Sequence, residues 1–104
     1  MDEQHAGEIC LRGGSLYLQA AVCARHFPGI HAVALWRDDR RAYLIPLATA
    51  GTGGYLLKIR NARGDRVIHC PEFIEGLQLA LDAEVVRPLR WDVERHALVF
   101  ALHD

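Results

Sequence analysis

Apolar and polar residues alternate with a period near two over several short stretches of this chain, and such stretches predict strands. Glu8 to Arg12 is the first, and after a Gly13-Gly14-Ser15 turn the strand resumes at Leu16-Tyr17-Leu18. Ala20 to Phe27 holds helix formers and no glycine, and Pro28-Gly29 stops it, so a helix of about two turns is expected. A helix that short is held by packing and not by its own propensity. His31 to Trp36 and Arg41 to Leu47 read as a hairpin around the polar Arg37-Asp38-Asp39-Arg40 turn. Met1 to Gly7 is polar and is expected to fray at the terminus.

Ala48 to Gly54 is small, uncharged and glycine-rich, and reads as a flexible linker. Beyond it the order of elements returns. Tyr55 to Arg60 alternates, with Tyr55, Leu57 and Ile59 assigned to one face. Asn61 to Gly64 turns, and Asp65 to His69 is a strand. Pro71 suits the first turn of a helix, Glu72 and Glu75 complement its positive end, and Phe73, Ile74 and Leu77 give it a buried side. Arg87 to Val93 points Leu89, Trp91 and Val93 inward, and after a turn at Glu94-Arg95 the run His96 to Leu102 is the last strand.

The expected architecture is therefore mostly β (α+β), a single domain of two strand, short-helix, hairpin units packed as one pseudo-symmetric barrel. The first unit covers residues 8–47, the linker 48–54 and the second unit 55–102. "GSLYLQAAVCARHF" from Gly14 lies 50 residues before "GDRVIHCPEFIEGL" from Gly64, and "AYLIPL" from Ala42 lies 55 before "ALVFAL" from Ala97. The repeat is one of pattern more than of residue identity; an internal duplication is the favoured account, the alternative being that any compact β-rich chain can be parsed into similar halves.

With 104 residues the chain is one domain by length and buries a core without needing disulfides or a metal. Its 12 basic and 13 acidic residues leave a net charge of −1, which argues against a protein that coats nucleic acid generally. Three cysteines, Cys10, Cys23 and Cys70, form no Cys-x-x-Cys pair and accompany no recognisable export signal, so reduced thiols in a cytoplasmic protein are expected. No apolar run approaches the roughly 18 residues of a membrane helix.

Charge is concentrated in one place. Lys58, Arg60, Arg63 and Arg66 surround the Asn61–Gly64 turn, opposed only by Asp65. Such a hairpin can neutralise several phosphates and would bind DNA in a salt-sensitive, sequence-independent way. The plainer alternative is a solvated turn, with Asp65 paired to Arg63 or Arg66. Cys23-x-x-His26 with His31, and His69-Cys70, are residue types that could supply metal ligands, and Cys23 with His26 could pair a nucleophile with its base. Neighbours in a strand face opposite ways, nothing orients Cys23 against His26, and the only serine, Ser15, sits in a turn. No catalytic residue, metal or cofactor is assigned. Gly51-x-Gly-Gly lacks the lysine and helix of a phosphate loop. Trp36 and Trp91 fall near corresponding hairpin places and are expected in the core or at an interface.

The order strand, turn, strand, short helix, hairpin resembles the swapped-hairpin family of AbrB-like and MraZ-like DNA-binding proteins. "NARGDRVIHCPEF" carries the likeness, with Gly64, Arg66, Val67, Ile68, Pro71, Glu72 and Phe73 in the family's places, and Gly14, Leu16, Leu18, Ala20 and Ala21 match in the first half. An additional residue, Asp65, separates Gly64 from Arg66, and His69-Cys70 stands where the family has an apolar residue before the proline. Two units in one chain are most similar to the MraZ-like members. The resemblance implies an interleaved barrel, a homo-oligomer, and double-stranded DNA as the partner of a non-enzymatic regulator. The alternative function is a protein-interaction or assembly module with the same fold and no DNA binding.

Overall fold

The computed structural model describes residues 3–49, 53–78 and 84–103. Among the described residues nine strands and two short helices follow one another as β1 (Glu3–Arg12), β2 (Ser15–Leu18), α1 (Ala20–His26), β3 (Ala32–Arg37), β4 (Arg41–Leu47), β5 (Tyr55–Leu56), β6 (Lys58–Ile59), β7 (Arg66–His69), α2 (Pro71–Gly76), β8 (Val85–Asp92) and β9 (Ala97–Ala101). All the pairings are antiparallel, and the strands form one sheet in the order β5-β3-β4-β9-β8-β1-β2-β7-β6.

The two edges of that sheet are consecutive in the chain. β5 pairs with β3 and β6 pairs with β7, and only Leu57 separates β5 from β6. Its side chain is buried and its N–H donates to the carbonyl of His31 at 2.8 Å. The segment thus rolls the sheet into a nearly closed barrel, which removes exposed strand edges. The expected single strand from Tyr55 to Arg60 is therefore broken. Tyr55 and Leu57 pack inward, but Ile59 is 65% exposed, because the chain changes partner strand at Leu57 and the alternation does not carry across the break.

Two further expectations are corrected. Residues 3–7 are not frayed but form the start of β1, with Glu3 opposite Asp92 and His5 opposite Arg90. The register shifts between His5 and Gly7, and Gly7 adopts φ +123° with Val22 of α1 close over it. A side chain there would strike Val22, so the bulge and the helix need a glycine together. Val93 is 55% exposed, because β8 ends at Asp92 and Val93 belongs to the turn.

Inside the barrel, Ile9, Leu11, Leu16, Leu18, Val33, Leu44, Ile68, Leu89, Leu98 and Phe100 meet; α1 adds Val22 and Cys23, α2 adds Ile74, and Leu77, the residue that caps the end of α2, joins them. Tyr43, Ala97 and Val99 form a smaller buried cluster separate from this core. Ala42 packs in the larger core and Ala97 in the smaller cluster, and each closes the four-residue turn of its hairpin, Ala42 opposite Arg37 and Ala97 opposite Asp92. Of the glycine-rich stretch, residues 50–52 lie outside the described residues.

Candidate nucleic-acid interface

β6 and β7 build a small hairpin on which the four cations expected to meet DNA sit. Register puts Lys58 opposite Val67 and Ile59 opposite Arg66. The turn between them is fixed by side chains. Asn61 Oδ1 accepts the N–H groups of Arg63 and Asp65, both at 3.1 Å, and Asn61 Nδ2 donates to Asp65 Oδ2 at 2.8 Å. The other oxygen of Asp65 accepts the backbone N–H of Ala20 at 2.8 Å, the first residue of α1. Gln19, the N-cap residue, makes no side-chain cap bond, so a residue from the other half of the chain supplies it. Hydrogen bonds from Asn61 and Ala20, and the Arg63 pair, hold the Asp65 carboxyl below its ordinary value.

The four cations do not behave alike. Lys58 and Arg60 are exposed. Arg63 is exposed too, and its guanidinium reaches Asp65 Oδ2 at 3.0 Å. Arg66 is half-buried and turned to the protein: it donates to the carbonyls of Leu57 and Gly64, each at 3.3 Å. It braces the seam where the barrel closes. The hairpin therefore presents three cations outward, one of them paired.

A fifth cation joins them. Arg60 lies over the ring of Tyr17 at 4.8 Å and Arg12 over the same ring at 4.5 Å. The β1–β2 register sets Cys10 opposite Tyr17, which puts Arg12, two residues on, diagonally beside Tyr17 on one face. That alternation was present in the sequence, but only the β2–β7–β6 pairing brings Arg60 to the same ring. Arg12 also lies 3.7 Å from Glu84, with both side chains about half exposed, a pair of little energetic weight.

The other candidate chemistries are dispersed. Cys23 is buried in the core and burial pushes its thiol up to about 11. The His26 ring stacks on Trp91 at 5.0 Å, and Trp91 in turn meets His96 edge-on. Cys70 is buried, pushed up to about 12, while His69 is exposed beside Ser15, with Nδ1 at 3.3 Å from its hydroxyl. Among the described residues no three His, Cys, Asp or Glu side chains gather where they could hold a metal ion. Trp36 is 52% exposed and packs on Tyr43. No helix among the described residues is long and apolar enough to cross a membrane.

Comparison of the chain with protein-family models, with curated proteins and with solved structures gives no match.

Proposed function

We propose that the protein is a non-enzymatic, DNA-binding regulator that grips phosphates with the β6–β7 hairpin and acts as a homo-oligomer in the cytoplasm. The observation that carries this reading is the outward presentation of Lys58, Arg60 and Arg63 on a turn made rigid by Asn61 and Asp65, with Arg12 added beside Arg60 on Tyr17. Guanidinium groups braced on an aromatic ring lose little freedom on meeting a phosphate. One such patch is weak alone, and repetition in an oligomer would raise its avidity.

Topology supports the family likeness that suggested DNA. Exchanging the first half for the second maps the pairings onto themselves: β1–β2 onto β6–β7, β3–β4 onto β8–β9, and β1–β8 onto the β3 pairing with the β5–β6 segment. β2–β7 and β4–β9 map onto themselves. Two interleaved copies of one unit, as in AbrB-like and MraZ-like barrels, would have this property.

The rival function, a protein-interaction or assembly module, draws support from Leu56 and Ile59, which are 54% and 65% exposed on the closing segment.

Fluorescence anisotropy of a labelled DNA duplex, titrated at low and moderate salt, separates the two. Binding is expected to weaken steeply with salt. The K58A/R60A/R63A variant, which spares the bracing Arg66, is expected to lower the log–log salt slope by about 2–3. Absence of binding at low salt by folded protein overturns the DNA reading and leaves the assembly module.

A further inference from the structure

β3 and β4 are apolar on both faces. Val33 of β3 and Ala42 and Leu44 of β4 point into the core. Alternation turns Ala32, Ala34 and Trp36 outward from β3, and Tyr43, Ile45 and Leu47 outward from β4. None of these six carries a charge. By the same parity β1 turns Glu8 and Arg12 outward beside its buried Ile9 and Leu11, and β8 turns Arg90 outward beside Leu89. Closing the barrel buries one face of each strand. A strand that is apolar on both faces is the kind covered on both.

Register sets the outward residues of β3 and β4 in rows with the edge strand β5. Leu56 stands opposite Ala32 and Ala32 opposite Leu47, Ala34 stands opposite Ile45, and Trp36 opposite Tyr43. Tyr43 is already closed off. Trp36 packs on its ring at 5.1 Å, and Arg41 and Arg95 lie over it at 5.8 and 5.4 Å. The rest of the strip is open. Trp36 is 52% and Leu56 54% exposed, and Ala34, Ile45 and Leu47 between them are half-buried.

We infer that this strip is where a second copy of the chain docks, face to face about a two-fold axis, with Trp36 and Leu56 as its anchors. A two-fold contact sets a surface against itself, so a charged face would oppose like charges, whereas this strip opposes only apolar side chains. Its rim carries both signs. Asp39 and Arg40 are exposed neighbours in the turn beyond Trp36, so each copy can offer a carboxylate and a guanidinium to the other. Strands about 4.8 Å apart and residues about 3.3 Å apart make the β5–β3–β4 face roughly 14 Å by 17 Å. That suits the apolar centre of a standard interface of about 800 Å² per partner, with the polar rim supplying the remainder. The inference rests on the homo-oligomer of the proposed function and assigns its surface, and it does not involve the cations of the β6–β7 hairpin.

Sedimentation velocity from low micromolar to submillimolar protein tests it. The unaltered chain is expected to form a dimer. W36E and L56E each change a side chain that is more than half exposed, and each is expected to raise the dimer dissociation constant by about tenfold or more with an unchanged circular dichroism spectrum. V86E places the same charge on an outward valine, 45% exposed, on β8, three strands from β3, and is expected to leave the dimer as it was. The inference is overturned by a chain that stays monomeric at the highest concentration, which would leave the strip to a different protein. It is overturned equally by a dimer that survives both W36E and L56E, or by an equal loss in V86E. Anisotropy with labelled duplex on the same samples keeps the two readings apart. A monomeric chain that binds duplex overturns the dimer and leaves the DNA reading, and a dimer broken by W36E in a chain that binds no duplex upholds the dimer and overturns the DNA reading.

Discussion

The carboxylate of Asp65 accepts the backbone N–H of Ala20 at 2.8 Å, so the β6–β7 turn caps the first helix from 45 positions away in the chain. Asp65 stands between Gly64 and Arg66, where the turn leads into β7. It serves the fold: it joins the two halves and, through Asn61 and Arg63, stiffens the turn that displays the cations. Replacing it with alanine is expected to lower the thermal midpoint by roughly 4–8 °C. Asp65→Asn keeps an acceptor for Ala20 and should lose less. Because the folded carboxyl titrates below its ordinary value of 3.8, its contribution is complete above that value and is lost as pH falls through the lower folded value. Melts across an acid pH series should therefore show a shallower acid-side decline for Asp65→Ala. Equal slopes in the two proteins would contradict the cap.

Arg63 and Arg66 are expected to separate in a stability assay although the sequence presents them alike. Arg66 donates to the carbonyls of Leu57 and Gly64 and holds the seam, so Arg66→Ala should cost about 1–3 kcal/mol in urea denaturation. Arg63 is exposed with one exposed-side pair, and Arg63→Ala should stay within about 0.5 kcal/mol of the parent. The reverse ranking would mean that Arg66 faces solvent.

Gly54 lies at the end of the glycine-rich stretch, but its place is structural. A Cβ on Gly54 would strike Leu47 and come within 2.9 Å of the carbonyl oxygen of Val33. Gly54→Ala is expected to destabilise by about 1–3 kcal/mol, since the segment leading into β5 has to move off β3. Gly76, at the end of α2, has open space around a Cβ, and Gly76→Ala should be neutral or mildly stabilising. Chemical denaturation of both variants checks the contrast. Similar losses would show that Gly54 is a linker residue and no more.

The three thiols should differ in reactivity. Cys23 and Cys70 are buried, and burial pushes them up to about 11 and about 12, so neither supplies thiolate at neutral pH. Cys10 is half-buried and also raised, by burial and then by Glu84. Ellman's reagent is expected to titrate at most one thiol slowly in the native protein, and all three in guanidinium. Fast native reaction of Cys23 would reopen it as a nucleophile.

The order of strands and helices was written into the sequence, because strand alternation, the proline opening α2 and the glycine turns act within a few residues. β2, α1, β3, β4, β7, α2 and β9 lie close to where the pattern predicted them. The same local signals placed Lys58, Arg60, Arg63 and Arg66 on one hairpin. What they left open concerns partners distant in the chain. Residues 3–7 look like a polar terminus until β8 supplies their hydrogen bonds. Ile59 looks inward until the chain changes neighbours at Leu57. Arg66 resembles its neighbouring cations until two carbonyls at the seam claim it, and Arg12 belongs to no patch until Tyr17 brings it beside Arg60. Periodicity states which face a side chain takes within its own strand, and only the closure of the barrel decides what that face meets.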